Sequence, residues 1–70
     1  MTTVTVLPST GRPYFDVRDG GRSMRVSWHP DADLFVFSLW RDGVCTGTFR
    51  LDRGSTPDLI DTMVSGLAGR

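Results

Sequence analysis

The sequence predicts an α+β fold, in which a four-stranded antiparallel meander is followed by one C-terminal helix packed on one face of the sheet. Turn sequences divide residues 13–51 into four segments that are rich in β-branched and aromatic residues. A helix start, Ser55-Thr56-Pro57-Asp58, follows the last segment. Beyond it, apolar side chains recur at a spacing of three to four residues, as in a helix with one buried side.

Two of the turns place Gly where a two-residue hairpin needs a positive φ, in Asp19-Gly20-Gly21-Arg22 and in Arg41-Asp42-Gly43-Val44. The turn between them, residues 29–33, is a polar loop whose Pro30 cannot join a strand ladder. The predicted strands therefore cover residues 13–18, 23–28, 34–41 and 44–51. The alternating run at residues 2–6 is either a fifth strand or an N-terminal arm. The chain thus divides into residues 1–12 and a single β-β-β-β-α domain over residues 13–70.

The helix is predicted from its start and from its apolar stripe. A hydroxyl residue at the N-cap, Pro57 at the first helical position and an acid in the first turn are typical of a helix N-terminus. The stripe consists of Ile60, Met63, Val64 and Leu67, flanked by Leu59. A helix of this length is expected to cover most of one face of the sheet.

The same turns predict a strand register, which decides the face on which each side chain lies. Val17 is expected opposite Met24, Trp28 opposite Leu34, Trp40 opposite Cys45 and Val36 opposite Phe49. The face that results is predicted to be the core beneath the helix, and it collects Phe15, Val17, Met24, Val26, Trp28, Leu34, Val36, Trp40, Cys45, Phe49 and Leu51.

The opposite face has no element left to cover it, although it carries an apolar stripe. Contiguous exposed apolar patches usually mark an interaction surface. The predicted interaction surface consists of three apolar residues of the third strand and their polar neighbours, namely Arg25, Phe35, Phe37, Leu39, Thr48 and Arg50. The expected occupants are a second copy of the chain, then a different protein such as a transcription or signalling component. Single-stranded nucleic acid stacked on the two rings beside the Arg residues is the third alternative. In a fourth, the N-terminal segment folds over the stripe.

Charge and length favour the dimer. The chain carries 8 basic and 8 acidic residues, all of them Arg and Asp, with Lys, Glu, Asn and Gln absent, as in GC-rich bacterial genomes. This balance removes the positive field expected of a protein that binds nucleic acid mainly through its phosphates. A chain of 70 residues buries only a thin core, and oligomerisation is one way to stabilise it.

Catalytic, cofactor and metal-binding motifs are missing from the sequence. Cys45 has no obvious base nearby in sequence, and one His and one Cys do not make a zinc site by themselves. An unpaired Cys without an export signal predicts a cytoplasmic location, and no run is apolar enough to span a membrane. The sequence therefore predicts a non-enzymatic protein.

The order of elements over residues 13–68 resembles the single-strand-binding transcriptional coactivator and whirly type of fold. In that family the helix helps to dimerise or pack the sheets, and the curved sheet binds single strands through basic and aromatic residues. The resemblance implies such a role for Arg25, Phe35, Phe37 and Arg50. The pattern also resembles small actinobacterial regulatory proteins that act through protein partners. We therefore expect a dimeric regulatory module near transcription, with single-stranded nucleic-acid binding as the alternative.

Overall fold

A computed structural model describes residues 11–69 of the chain. The elements are β1 (Arg12–Phe15), β2 (Arg22–His29), β3 (Leu34–Arg41), β4 (Val44–Asp52), a 3-10 turn (Arg53–Ser55) and the helix α1 (Thr56–Gly69). The four strands form one antiparallel sheet in the order β1-β2-β3-β4. The predicted α+β fold, with its meander and single C-terminal helix, is confirmed. The run at residues 2–6, predicted to be either a fifth strand or an N-terminal arm, lies outside the described residues.

The first hairpin differs from the prediction because β1 ends at Phe15. The Asp16 carboxylate accepts a hydrogen bond from the backbone N–H of Arg18 at 2.7 Å, which turns the chain out of the strand. Asp19, Gly20 and Gly21 then all adopt positive φ. The loop therefore covers residues 16–21, and Tyr14 rather than Val17 pairs with Met24.

The second loop is one residue shorter than predicted because His29 remains in its strand and pairs with Leu34. The backbone N–H of Ala32 donates to the His29 carbonyl at 3.1 Å, and Asp33 adopts a φ of 57°. Asp is one of the few residues besides Gly that tolerates this conformation. Trp28 consequently pairs with Phe35 instead of Leu34.

The third hairpin confirms the predicted turn, but its register changes beyond a β-bulge. Asp42 and Gly43 have φ of 51° and 81°, and Trp40 pairs with Cys45 as expected. The pairing then shifts by one residue between Leu39 and Trp40, so Thr46 is the extra residue on β4. The predicted Val36–Phe49 pair is wrong for this reason, and Phe49 pairs with Phe37.

These shifts redistribute the side chains between the two faces of the sheet, because paired residues share a face and successive residues alternate. One face, here named the apolar face, carries Tyr14, Met24, Val26, Trp28, Phe35, Phe37, Leu39, Phe49 and Leu51. The other, the polar face, carries Phe15, Ser23, Arg25, Ser27, His29, Leu34, Val36, Ser38, Trp40, Cys45, Thr48 and Arg50. The predicted core face is thus split between the two, and Val17 lies fully exposed in the first loop.

The helix is present as predicted, but its side chains are not buried against the sheet. α1 contacts the 3-10 turn before it, and no residue of α1 is buried. β4 passes into α1 through a 3-10 turn of 3 residues, with no further loop on either side. The Asp52 carboxylate accepts from the Ser55 N–H at 3.1 Å and fixes that turn.

The buried centre of the described chain is small and lies on the polar face. Val36 is 2% exposed and Ser38 is 1% exposed, and these are the buried side chains of residues 11–69. Both belong to β3, an inner strand flanked by β2 and β4. The sheet is therefore nearly a single layer, and the described structure measures 42 × 33 × 15 Å along its principal axes.

Candidate interaction surface

The apolar face presents large side chains that the described chain leaves half exposed. The exposed fraction of the whole residue is 39% for Trp28, 54% for Leu39 and 63% for Phe49. Trp28 and Phe35 form a cross-strand aromatic pair with ring centroids 4.9 Å apart. Such pairs stabilise a sheet locally but do not remove its outer surface from water. The apolar face extends over all four strands, from Tyr14 on β1 to Phe49 on β4.

Gly47 makes a shallow notch in the apolar face. It pairs with Leu39, directly after the bulge, so its missing side chain belongs to this face. A Cβ added at Gly47 would meet no other atom within 4 Å. An apolar side chain from outside can therefore approach the backbone of β4 here.

The helix presents a second apolar surface, the α1 stripe, which consists of Ile60, Met63, Val64 and Leu67. These four residues lie on one side of the helix because they are spaced three or four positions apart. All four are exposed, by 52% to 86%. Asp58 and Asp61 lie away from the centre of the stripe. An amphipathic helix whose apolar side is exposed is typical of one that packs against a partner.

The six predicted surface residues do not lie together. Phe35, Phe37 and Leu39 lie on the apolar face, as neighbours of residues that the sequence had placed in the core. Arg25 and Thr48 pair on either side of Ser38, so they lie on the polar face. Arg50 pairs with Val36 and lies there too. The predicted combination of exposed rings flanked by guanidinium groups is therefore not formed.

The polar face is held together by its own contacts. The Trp40 indole N–H donates to the Ser38 hydroxyl at 2.8 Å. The Arg25 guanidinium carbon lies 5.0 Å from the centre of the Trp40 ring, a cation–π contact. The Ser27 hydroxyl and His29 Nε2 are 2.8 Å apart and share a hydrogen bond. These side chains cover Val36 and Ser38, which explains why the buried residues lie on this face.

Charges surround the apolar face at its ends. Its strand positions carry Arg12, Arg22 and Arg41 and no Asp, and Arg22 pairs directly with Arg41. Like charges opposite each other on a sheet are unfavourable. α1 has the opposite character, since Asp58 and Asp61 are its ionisable residues. The two apolar surfaces therefore have complementary charged surroundings.

The strongest ion pair of the described chain is local to the first loop. The Arg18 guanidinium donates two hydrogen bonds to the Asp16 carboxylate, at 3.0 and 2.7 Å. These bonds and the Arg18 backbone N–H hold the pKa of Asp16 well below its usual range, and Asp16 raises the pKa of Arg18. The pair stabilises the loop and lies outside both apolar surfaces.

A second contact group fixes the 3-10 turn and with it the start of α1. The Arg53 Nε lies 3.2 Å from an Asp33 carboxylate oxygen, and the Arg53 N–H donates to the Asp33 carbonyl at 3.1 Å. The Arg53 guanidinium also lies over the Trp28 ring, 5.7 Å from its centre. The hydrogen bond from Ser55 lowers the pKa of Asp52. These contacts set the direction in which α1 leaves the sheet.

Sequence reasoning missed five members of the apolar face because it had placed them under the helix, namely Met24, Val26, Trp28, Phe49 and Leu51. An isolated Gly inside a strand often marks a β-bulge. Gly47 was therefore the signal in the sequence that could have corrected the register of β4.

Comparisons of the chain with protein-family models, with curated proteins and with solved structures find no match. The resemblance to the single-strand-binding coactivator and whirly type of fold stays a prediction. Within residues 11–69, no helix has the length and apolar character needed to cross a membrane. Over the same residues, no group of three or more His, Cys or acidic side chains is arranged to hold a metal ion.

Proposed function

We propose that this protein is a small non-enzymatic interaction module that works as a homodimer. One observation carries the proposal: the apolar face and the α1 stripe are both exposed in the same short chain. Monomeric soluble proteins rarely expose contiguous apolar surfaces of this kind, and surfaces larger than a few hundred Å² usually mark protein contacts. A second copy is the simplest partner, because closed twofold dimers are the commonest soluble oligomers.

The thin buried centre supports the same proposal. Only Val36 and Ser38 are buried among the described residues, whereas a stable domain needs a larger apolar core. Covering the apolar face would bring Trp28, Leu39 and Phe49 into such a core. Dimerisation would then contribute to folding stability as well as to assembly.

We further propose a regulatory role near transcription, exercised through protein contacts from a cytoplasmic location. The unpaired Cys45 supports the location, since free thiols are typical of reducing compartments. In a dimer that covers the apolar faces, the polar faces with Arg25 and Arg50 remain outside for a further partner.

Light scattering coupled to size-exclusion chromatography tests the dimer. We expect a mass twice that of the 7.8 kDa chain at micromolar concentration. A mass that remains that of one chain up to the solubility limit would overturn the proposal.

Single-stranded nucleic-acid binding is the alternative, and the residues predicted for it have less support. That prediction needs its rings and guanidinium groups on one surface, but Phe35 and Phe37 lie on the apolar face while Arg25 and Arg50 lie on the polar face. Fluorescence polarisation with labelled oligonucleotides at low salt tests it. Binding that both Phe37→Ala and Arg25→Ala abolish, at unchanged dimer mass, would favour this alternative.

A further inference from the structure

We propose that the dimer forms by reciprocal exchange of helices: the α1 stripe of each chain docks on the apolar face of the other. This inference rests on the proposed function, since it names the partner surface within the dimer. It also assigns a role to α1, whose apolar side chains have no partner within the described chain.

The structure does not show the simpler arrangement, in which the helix covers its own sheet, because no residue of α1 is buried. The 3-10 turn between β4 and α1 has 3 residues and no loop on either side. Its conformation is fixed by the Asp52 cap at 3.1 Å, by the Arg53–Asp33 ion pair at 3.2 Å and by Arg53 over Trp28. The Thr56 hydroxyl, at the start of α1, also donates to the Asp52 carbonyl at 2.9 Å. Docking on a second chain leaves all of these contacts as they are.

The two surfaces match in size. A helix of 14 residues is about 21 Å long. A strand of 8 residues is about 26 Å long, and four strands span about 14 Å between the outer two. α1 therefore covers most of the apolar face when it lies along the strands.

The exposed area is close to that of a stable interface. The large half-exposed side chains of the two surfaces are Tyr14, Trp28, Leu39, Phe49, Ile60, Met63, Val64 and Leu67. At roughly 100 Å² each, about half of an aromatic side chain's surface, they expose on the order of 800 Å² per chain. Standard protein interfaces bury about 800 Å² per partner.

Charge favours helix against sheet over helix against helix. Two copies of α1 packed together would join two helices whose ionisable residues, Asp58 and Asp61, are both acidic, without a basic residue of α1 to offset them. On the apolar face, the acidic helix instead meets a rim of Arg12, Arg22 and Arg41. The helix then adds negative charge near the Arg22–Arg41 pair, in which Arg22 already interacts with Asp16 of the first loop.

A second copy of the chain covers the apolar face and the α1 stripe at the same time. Each chain has one α1 stripe and one apolar face, so a twofold axis pairs each helix with a sheet and the assembly closes. A different protein that covers the apolar face would leave α1 exposed.

The test is cross-linking between two differently substituted chains, both carrying Cys45→Ser to remove the native thiol. One chain carries Val64→Cys in the α1 stripe. The other carries Trp28→Cys, Leu39→Cys or Phe49→Cys, three positions spread over the apolar face, or Thr48→Cys on the polar face as the matched control. The mixed chains are treated with a short bismaleimide, and light scattering on each mixture records whether dimers are present.

We expect mixed cross-linked dimers with at least one of the three apolar-face variants and at least tenfold less with Thr48→Cys. A dimer by mass that links Val64→Cys only to another Val64→Cys chain would overturn helix exchange while the proposed dimer stands. Helix exchange would also be overturned, while the proposed dimer stands, if a chain that carries both Val64→Cys and Phe49→Cys forms only cross-links within itself. A monomer by mass would overturn both proposals.

Discussion

The two faces of this sheet are built from the same strands but differ in how far their side chains are buried. The polar face carries Arg25, Thr48 and Arg50, yet it buries Val36 and Ser38 because long side chains lie over them. The apolar face carries most of the large aromatic and aliphatic residues of the strands, yet it leaves Phe49 63% exposed. The difference teaches that burial in one small layer follows from side-chain length and stacking as much as from hydrophobicity. Within residues 11–69, no element covers the apolar face.

The largest expected effect comes from placing one charge on either face of β4. Phe49→Asp puts a carboxylate in the proposed interface, where an unpaired charge is strongly unfavourable. We expect the Kd of the dimer to rise at least about 100-fold, measured by sedimentation equilibrium. The matched control is the neighbouring Thr48→Asp on the polar face, which should change the Kd less than about threefold. Equal effects of the two variants would contradict the assignment of the faces.

The polar face is tested through its buried hydroxyl group. Ser38→Ala removes the acceptor of the Trp40 indole N–H, which the bond at 2.8 Å now satisfies. We expect the free energy of unfolding to fall by about 1–2 kcal/mol in urea titrations. Adding Trp40→Phe removes the donor as well, so the double variant should lose less than the sum of the two single losses. Additive losses would show that the bond contributes nothing.

The notch at Gly47 gives a smaller effect on the apolar side. Gly47→Leu adds a side chain where the described chain has open space, so the fold should tolerate it. The same side chain fills the notch and hinders the helix of the second chain. We expect a Kd roughly five- to tenfold higher, because overpacking an interface costs about 1 kcal/mol or more. A lower Kd would mean that the notch is not filled in the dimer.

Much of this fold could be predicted from the sequence, but the surface could not. The hairpin at Asp42-Gly43 and the helix start at Ser55-Thr56-Pro57-Asp58 were predictable, because Gly and Pro act locally. The register depends on finer events: Asp33 in the left-handed conformation and a bulge at Thr46. Each moves the pairing by one residue, and a register shift of one residue moves the side chains of a strand to the other face of the sheet. The predicted core is consequently split, and part of it shares the apolar face with the predicted exposed stripe, namely Met24, Val26, Trp28, Phe49 and Leu51.

The smallest effect on stability is expected from a substitution in the first loop, whose residues belong to neither face of the sheet. The hydrogen bonds from Arg18 lower the pKa of Asp16 in the folded chain. A lowered folded pKa stabilises the fold above the unfolded value, near pH 4, and this contribution is lost as the pH falls further. Below about pH 4, the free energy of unfolding of Asp16→Asn should therefore fall less steeply with decreasing pH than that of Asp31→Asn, a matched change in the next loop. Identical acid-unfolding curves would exclude a contribution from this pair.

Hydrogen–deuterium exchange of α1 at high and low protein concentration tests the central claim most directly. A helix of 14 residues with no buried side chain is marginally stable by itself, so its amides should exchange rapidly in the single chain. In the dimer, the second chain's sheet should protect them, together with the amides of the inner strands. We predict protection of α1 that appears with concentration, in step with the dimer mass. Rapid exchange of α1 in a fully formed dimer, or protection that persists in the monomer, would contradict the account.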